Sequence, residues 1–240
     1  MKIYKKIYLA KHIEGFLTDR EGQMLYSLAR ACKGKGSIVE IGSWKGKSTI
    51  WLAHGVKDNS HQTVLFAIDP HTGSPEHQGE KKVWTFDEFQ QNITVAGVSD
   101  FIKPLIQTSA DAVKNIQNDI ELLFIDGAHE YDAVRLDYTL FRPLVLERGF
   151  IAFHDSSTPG VDQLLEEILA QDGFQDIYFT DSLLVGRKTS SLSHKDRFKN
   201  NLMLALNRQF TRINRSKALK RVRTFQKGLV KLARDILYHI

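Results

Sequence analysis

Acidic and imidazole side chains follow two apolar runs in the second half of the sequence. Asp126 and His129 come after one run, and His154 and Asp155 come after the next. If both runs are strands of one parallel sheet, these four side chains meet at one edge. Carboxylates and imidazole can hold a divalent ion, and an imidazole that titrates near neutral pH can accept a proton. The pattern therefore predicts a proton-transfer site that a metal ion assists.

A second motif, "EIGSWKGKS", joins an earlier apolar run to a helical pattern. Only three residues separate Gly42 from the Gly-Lys-Ser that begins at Gly46, one fewer than a triphosphate loop needs. The dinucleotide fingerprint needs glycine where Trp44 stands. Glu40 in this motif and Asp69 after the next strand suit a cofactor with a cation and a ribose. A nucleoside cofactor is favoured over polyphosphate or dinucleotide.

With these residues the segment resembles the cofactor loop of class I S-adenosylmethionine-dependent methyltransferases, and among them the catechol O-methyltransferase group. The segments "LLFIDGAHEYDAVRLD" and "GFIAFHD" resemble a bacterial branch with macrocin O-methyltransferase and cephalosporin hydroxylase. The resemblance covers residues 15–188. It implies a doubly wound, mostly parallel, seven-stranded Rossmann-like α/β sheet whose last strand is reversed.

The same resemblance implies that S-adenosylmethionine is bound by residues of three loops. The two glycines would let the backbone approach the methionine and ribose portions, and Glu40 would anchor this end of the pocket. Asp69 would accept hydrogen bonds from both ribose hydroxyls. Ser109 and Ala110 fall where the family contacts the adenine. The predicted cofactor-binding set is Glu40, Gly42, Ser43, Gly46, Ser48, Asp69, Ser109 and Ala110.

Asp126, His154 and Asp155 match the positions that hold magnesium in the bacterial branch. Because imidazole is a poor magnesium ligand, either a softer ion such as manganese binds, or His154 acts instead as base or orienter. His129 is the other candidate for the general base, unless it caps the helix that follows. A divalent ion would orient an acceptor hydroxyl and lower its pKa. The predicted catalytic residues are His129, His154 and Asp126.

These expectations describe a metal-assisted O-methyltransferase that acts on a hydroxylated small molecule, such as a sugar or natural-product intermediate. A hydroxylase on the same framework is disfavoured, because the sequence has no flavin, haem or facial-triad signature. A non-catalytic cofactor-binding module stays open as an alternative; it would use the C-terminal tail to attach to a membrane surface or a partner.

The bulk composition is typical of a globular protein, with 240 residues, 42% hydrophobic and 25% charged. Cys32 is the single cysteine, so an internal disulfide is excluded. No apolar run reaches the length of a signal peptide or a membrane span. We therefore expect a cytoplasmic protein, with attachment to the membrane periphery as the alternative.

Short apolar runs alternate with helical patterns, which predicts an α/β sheet. Two capping boxes, Thr18–Glu21 and Thr85–Glu88, predict helix starts. The polar link His71–Trp84 predicts a lid or binding loop in which His71 and His77 could contact substrate, or else a disordered surface insertion, and no roles are assigned within it. A long helix is predicted over His129–Leu146, with Pro143 kinking or ending part of it and with Arg135 and Asp137 as a solvated ion pair. The predicted strands are Ser37–Ile41, Thr63–Ile68, Phe101–Ile106, Ile120–Ile125, Gly149–Phe153, Phe174–Phe179 and Leu183–Arg187.

Positive charge is concentrated at the C-terminus. From Lys195 onward there are 13 Lys and Arg against 2 Asp and Glu, whereas the preceding part holds 20 and 26. This predicts a methyltransferase domain over 1–193 and a basic extension of two amphipathic helices over 194–240, with a break at 214–216. The extension would pack on its own domain, on a twin subunit in a homo-oligomer, or on an anionic membrane. Nucleic acid is disfavoured, because exposed aromatics and a recognition motif are absent from the tail.

Overall fold

The computed structural model describes residues 12–73, 83–117, 119–171 and 173–215. Within these ranges the strands are β1 (Ser37–Ile41), β2 (Leu65–Ile68), β3 (Ile102–Leu105), β4 (Ile120–Ile125), β5 (Val145–Phe153), β6 (Phe174–Thr180) and β7 (Leu183–Lys188). The α-helices are α1 (Asp19–Ala31), α2 (Lys47–Lys57), α3 (Phe86–Val95), α4 (Ser109–Ala112), α5 (Tyr131–Phe141), α6 (Pro159–Gln171) and α7 (His194–Arg215). Short 3₁₀ turns lie at Ser99–Phe101, Val113–Asn115 and Arg142–Leu144.

The seven strands form one sheet in the order β3-β2-β1-β4-β5-β7-β6. Strand β7 runs antiparallel to both β5 and β6, while the other pairs are parallel. The predicted seven-stranded sheet with a reversed last strand is confirmed. The chain order reverses between β1 and β4, and open sheets of this kind bind ligands at the carboxyl ends of the strands beside such a reversal.

Strands β1 and β4 have the bounds that the sequence predicted and are buried along their whole length. Such continuous apolar runs are typical of central parallel strands, which are covered on both faces. Alternate residues serve two cores: Val39 and Leu123 face α5 and α6, whereas Ile38 and Phe124 face α1 and α2. The rigid centre of the sheet thus carries the loops that follow β1 and β4.

The capping box at Thr18 is confirmed, because its hydroxyl accepts from Glu21 N at 3.3 Å and Glu21 Oε2 accepts from Thr18 N at 2.8 Å. The helix predicted to start at the second capping box also forms, over Phe86–Val95, but the capping box itself does not. Thr85 has φ −114° and ψ −2°, so its side chain does not cap the helix. Its hydroxyl instead lies 2.9 Å from Nδ1 of His71.

The helix predicted over His129–Leu146 ends just before Pro143, one of the two outcomes expected for that residue. It spans Tyr131–Phe141 and passes into the 3₁₀ turn that holds Pro143, which has no backbone N–H to continue the α-helix. The N-cap is Glu130 and has no side-chain cap, so the alternative that His129 caps this helix is wrong. Strand β5 consequently begins at Val145, earlier than predicted.

The part of the basic extension that the structure describes is one helix, α7, that packs on the sheet. Met203 and Leu204 are buried in the same core as β6, and Asn200 Nδ2 donates to the carbonyl of Phe174 at 2.7 Å. Arg208 forms an ion pair with Asp162 at 3.0 Å. The second helix predicted for the tail lies outside the described residues. Among those residues, none of the helices is both long and apolar enough to cross a bilayer.

Candidate active site

Backbone hydrogen bonds carry the sheet one residue past its strands and so position the site. The N–H groups of Gly42, Asp69, Asp126 and His154 each donate to the last carbonyl of a neighbouring strand, at 2.8, 3.1, 2.8 and 3.0 Å. Because these bonds continue the ladder, the residues share the rigidity of the central strands. Residues that are far apart in the sequence are thereby brought to one edge, as predicted.

The loop between β1 and α2, called the glycine loop, contacts the loop that begins at Asp126 after β4, called the acidic loop. The contact is made at Gly42. Gly42 has φ +87°, which favours glycine, and a Cβ there would lie 2.2 Å from the carbonyl oxygen of Asp126. Only a residue without a side chain therefore permits this contact between the two backbones. Gly46, at φ +88°, is the N-cap of α2 and ends the loop.

Asp69 joins the first two loops of the site. Its carboxylate is buried and accepts from the backbone N–H of Trp44 at 2.7 Å and of His71 at 2.6 Å. The ring of His71 packs against Phe86 and Phe89, with centroids 5.2 and 5.3 Å apart, and burial lowers its pKa. The expectation that His71 contacts substrate is wrong: its ring fills a buried aromatic cluster at the base of the link. His77 lies outside the described residues.

A cavity of about 490 Å³ opens over these loops. Of the predicted cofactor residues, those that line it are Gly42, Ser43, Ser48, Asp69 and Ser109. Glu40, Gly46 and Ala110 are not among its lining residues. Further lining residues that the sequence did not single out include Glu14, Phe16, Leu17, Gln107, Ala133 and Leu136. Ser43 Oγ is buried without a hydrogen-bond partner among the described residues, as expected of a group that serves a ligand.

Glu40 lies fully buried behind the glycine loop. The hydroxyl of Thr49, in the first turn of α2, donates to its Oε2 at 2.5 Å. Burial, reinforced by the charges of Asp126 and Asp69, raises the pKa of Glu40 to about 8, although hydroxyls from α2 act in the opposite direction. In this position Glu40 ties β1 to the start of α2 and so shapes the loop.

Asp137 is a cavity residue that the sequence assigned wrongly. The expected solvated pair with Arg135 does not form, because Asp137 faces the cavity on the buried side of α5 and Arg135 lies 3.5 Å from Glu167. Burial raises the pKa of Asp137 to about 6, which a hydrogen bond with Ser109 partly offsets. The position of Asp137 on a helix does not show whether it lies on the buried face. Only the packing of α5 in the structure reveals this.

The residues of the predicted acidic and histidine cluster line the same cavity. His154 Nδ1 lies 3.0 Å from Asp126 Oδ1 and 3.3 Å from Asp155 Oδ2. One ligand atom from each of these three residues lies within 4.8 Å of the others. Two carboxylates and one imidazole fit a divalent ion that accepts mixed oxygen and nitrogen ligands, such as manganese, better than they fit magnesium.

The surroundings of His154 contain a residue that the sequence analysis missed. Glu21 Oε2 lies 3.5 Å from His154 Nε2, on the side of the ring away from Asp126. Burial alone would lower the pKa of His154, but the carboxylates of Asp126, Asp155 and Glu21 outweigh it and raise the pKa well above its usual value. Burial opposes the ionisation of Glu21, yet His154 and Ser182 hold its pKa at about 2. In the sequence, the capping box indicated that Glu21 caps a helix but not that it contacts His154.

His129 lies beside the cluster and lines the same cavity. Its Nε2 is 3.3 Å from Asp155 Oδ2, and about a third of its side chain is exposed. The four residues predicted from the strand ends therefore meet in the structure. Asp155 contacts both imidazoles and has φ +47°, a left-handed conformation that few residues other than glycine adopt.

Comparison with known proteins agrees with this fold. A methyltransferase-domain family model matches residues 39–156. An uncharacterized protein of Acanthamoeba polyphaga mimivirus, R132, is 27% identical over 179 residues, which are 69% of this chain and 76% of that protein. A candidate O-methyltransferase of Mycolicibacterium smegmatis is 33% identical over 115 residues, and the match spans only 48% of its length.

Among solved structures, the O-methyltransferase TomG of Streptomyces achromogenes, in complex with S-adenosylmethionine, has a TM-score of 0.55 at 17% identity. The match covers 78% of this chain and 89% of TomG. Its sequence identity is low, so it supports the fold. Residues 39–156 are thus similar to a methyltransferase domain, and the chain shares its fold with this solved O-methyltransferase.

Proposed function

We propose that this protein transfers the methyl group of S-adenosylmethionine to a hydroxyl group of a small molecule. The observation that carries the proposal is that one cavity holds both the glycine loop with Asp69 and the cluster of Asp126, His129 and His154. The cavity volume lies within the range of about 300–1,000 Å³ that is usual for small-molecule sites. A methyl donor and an acceptor can therefore meet without leaving it.

The cofactor would lie along the loops that follow β1, β2 and β3. The buried, unpartnered hydroxyl of Ser43 supports a polar ligand at the glycine loop. Each Asp69 oxygen accepts one backbone N–H and keeps a second lone pair, which suits the two ribose hydroxyls. Ser109 and Asp137 would line the adenine end.

Asp126, His154 and Asp155 would hold a manganese or magnesium ion. When bound, such an ion orients a hydroxyl oxygen and lowers its pKa. His129 would then accept the proton of the hydroxyl, because its ring is the more exposed of the two imidazoles and Asp155 orients it. The assignment separates the roles that the sequence left open for the two histidines.

The acceptor would be a hydroxylated small molecule, such as a sugar or a natural-product intermediate. One support is the structural likeness to TomG, which is involved in tomaymycin synthesis. Another is that most of the exposed surface of the cavity lining is apolar, as is usual for sites that bind organic ligands.

The proposal is tested with S-adenosylmethionine that carries a ¹³C-labelled methyl group. The protein is incubated with the small-molecule fraction of a cell extract, and the products are examined by carbon–proton correlation NMR. We expect new methyl signals at carbon shifts typical of methoxy groups, with stoichiometric S-adenosylhomocysteine. Consumption of the cofactor with methyl groups only on nitrogen, sulfur or carbon would contradict the proposal, as would unchanged cofactor.

Asp126→Ala separates the chemistry from cofactor binding. Because the variant loses a carboxylate at the acceptor end, we expect turnover to fall by about 100-fold or more. Affinity for S-adenosylhomocysteine, measured by calorimetry, should change little. Asp87→Ala, an exposed carboxylate in the first turn of α3, is the matched control and should retain both properties. Loss of affinity and turnover together in Asp126→Ala would mean that Asp126 belongs to the cofactor site.

A further inference from the structure

The imidazole of His154 has hydrogen-bonding groups on both of its edges. Nδ1 faces Asp126 and Asp155, and Nε2 lies 3.5 Å from both Glu21 Oε2 and Ser182 Oγ. Only 4% of the side chain is exposed. The state of the ring is therefore set by these four neighbours.

The hydrogen bonds of Glu21 determine whether the groups beside His154 Nε2 act as donors or as acceptors. Glu21 Oε1 accepts both the backbone N–H and the hydroxyl of Ser182, each at 2.7 Å, and Oε2 accepts Thr18 N–H. The hydroxyl proton of Ser182 is thus committed to Glu21, so its oxygen can only accept from His154. An ionised carboxylate is also only an acceptor. Both groups that face Nε2 are therefore hydrogen-bond acceptors. Nε2 must carry a proton in order to donate to them.

We propose that Glu21 is a positioning residue for His154: it holds the Nε2–H and keeps the Nδ1 edge turned toward Asp126 and Asp155. This inference rests on the proposed function, in which those three residues hold a divalent ion. A histidine ligand whose second nitrogen donates to a carboxylate is fixed in tautomer and orientation and is a more basic ligand. The pairing gives an imidazole in this cluster the orientation that a ligand needs.

The arrangement also gives a role to the contacts between the start of α1 and the turn between β6 and β7. Arg20 forms an ion pair with Asp181 at 2.9 Å, and the hydroxyl of Thr18 donates to the same carboxylate at 3.1 Å. These contacts hold Glu21 and Ser182 together beneath His154. Elements outside the methyltransferase loops thereby determine the geometry of the cluster.

Calorimetric titration of the full chain with Mn²⁺ measures the consequence for ion binding. Glu21→Gln keeps the shape of the side chain but replaces one acceptor oxygen by an NH₂ group, so it cannot accept all the hydrogen bonds that Glu21 accepts. We therefore expect the affinity for Mn²⁺ to fall by about 10- to 100-fold. Glu121→Gln is the matched control. Glu121 is also a buried carboxylate that accepts two backbone N–H groups, from Lys33 and Lys35, but it lies at the opposite end of β4 from Asp126. The control should bind Mn²⁺ like the wild type.

Nitrogen NMR of ¹⁵N-histidine-labelled, ion-free protein tests the Nε2–H directly, with His154 assigned by comparison with His154→Asn. We expect a protonated Nε2 whose proton exchanges slowly in the wild type and in Glu121→Gln, and rapidly in Glu21→Gln. Ser182→Ala should keep the slow proton, because Glu21 remains. An unchanged Nε2 proton in Glu21→Gln, or its loss in Ser182→Ala alone, would overturn the inference. If the wild type binds no Mn²⁺, the proposed metal site fails, and the NMR result still decides the role of Glu21.

Discussion

Gly42 is the residue at which the glycine loop meets the loop that begins at Asp126, and the chain offers a close control for it. Gly97 also has a positive φ, +67°, but a Cβ there would have no atom within 4 Å. Gly97→Ala therefore measures the cost of the left-handed backbone alone, about 1–2 kcal/mol. Gly42→Ala adds a collision with backbone.

We expect Gly42→Ala to lower the free energy of unfolding by clearly more than Gly97→Ala does, and to weaken S-adenosylhomocysteine binding as well. Urea unfolding and calorimetry measure the two effects. Gly97→Ala should leave the affinity unchanged. Equal losses of stability in the two variants would show that the loops are not in contact at Gly42.

Glu40 makes stability depend on pH. Its folded-state pKa of about 8 lies above its usual value of 4.5, so the folded protein holds the proton more tightly. The neutral carboxyl makes its full contribution to the free energy of unfolding below pH 4.5. This contribution falls as the pH rises toward about 8, by at most about 1.4 kcal/mol per pH unit. Glu40→Gln keeps a neutral side chain and should flatten this slope.

The measurement is the free energy of urea unfolding between pH 6.5 and 8, a window at the upper end of the Glu40 shift. Asp137→Asn is the control. Because the pKa of Asp137 is raised only to about 6, its own contribution is already lost at the lower limit of this window. We expect Asp137→Asn to keep the wild-type slope and Glu40→Gln to reduce it; the same slope in all three would place Glu40 in a more polar environment.

At the residue scale, the sequence predicts what strand ends bring together but not what other elements add. Asp126 and His154 were expected to meet because both follow parallel strands, and they lie 3.0 Å apart. Glu21 precedes His154 by 133 residues, and neither position signals the contact. Asp137 was misassigned, because charge and helical period do not identify the covered face of α5.

At the scale of elements, the central strands were the most predictable, because their apolar runs are continuous and end in glycine or acidic residues. Element boundaries that depend on local backbone geometry were less predictable. The Thr85 hydroxyl bonds to His71 instead of capping α3, and Pro143 shortens the long helix. For α7 the sequence left several packing partners open, and the structure has it against β6.

The packing of α7 predicts a contrast between two of its apolar residues. Met203 is fully buried against the core, whereas Phe198 is 68% exposed. Met203→Ala should lower the free energy of unfolding by about 2–5 kcal/mol. Phe198→Ala should change it by about 0.5 kcal/mol or less. Urea unfolding checks both, and similar values for the two variants would mean that α7 does not lie on the sheet in solution.

At the scale of the whole molecule, charge is divided between an acidic body and a basic end. Residues 216–240 alone hold seven Lys and Arg against one Asp. Basic residues near an anionic bilayer contribute about 1 kcal/mol each. We therefore expect the full chain to pellet with anionic vesicles more than a chain that ends at Arg215, which retains the packed α7, and to do so less at high salt. Vesicles of zwitterionic lipid are the control, and equal pelleting of both chains would remove the membrane partner.

The central claim is that the cavity at the reversal of strand order is the cofactor site, and calorimetric titration with S-adenosylhomocysteine tests it most directly. We expect one site per chain in the wild type and in Glu121→Gln. In Asp69→Asn the affinity should fall by about 10-fold or more, since a hydrogen bond to a charged group is worth about 1.5–3 kcal/mol. Absence of binding to the wild type, or undiminished binding to Asp69→Asn, would contradict the account.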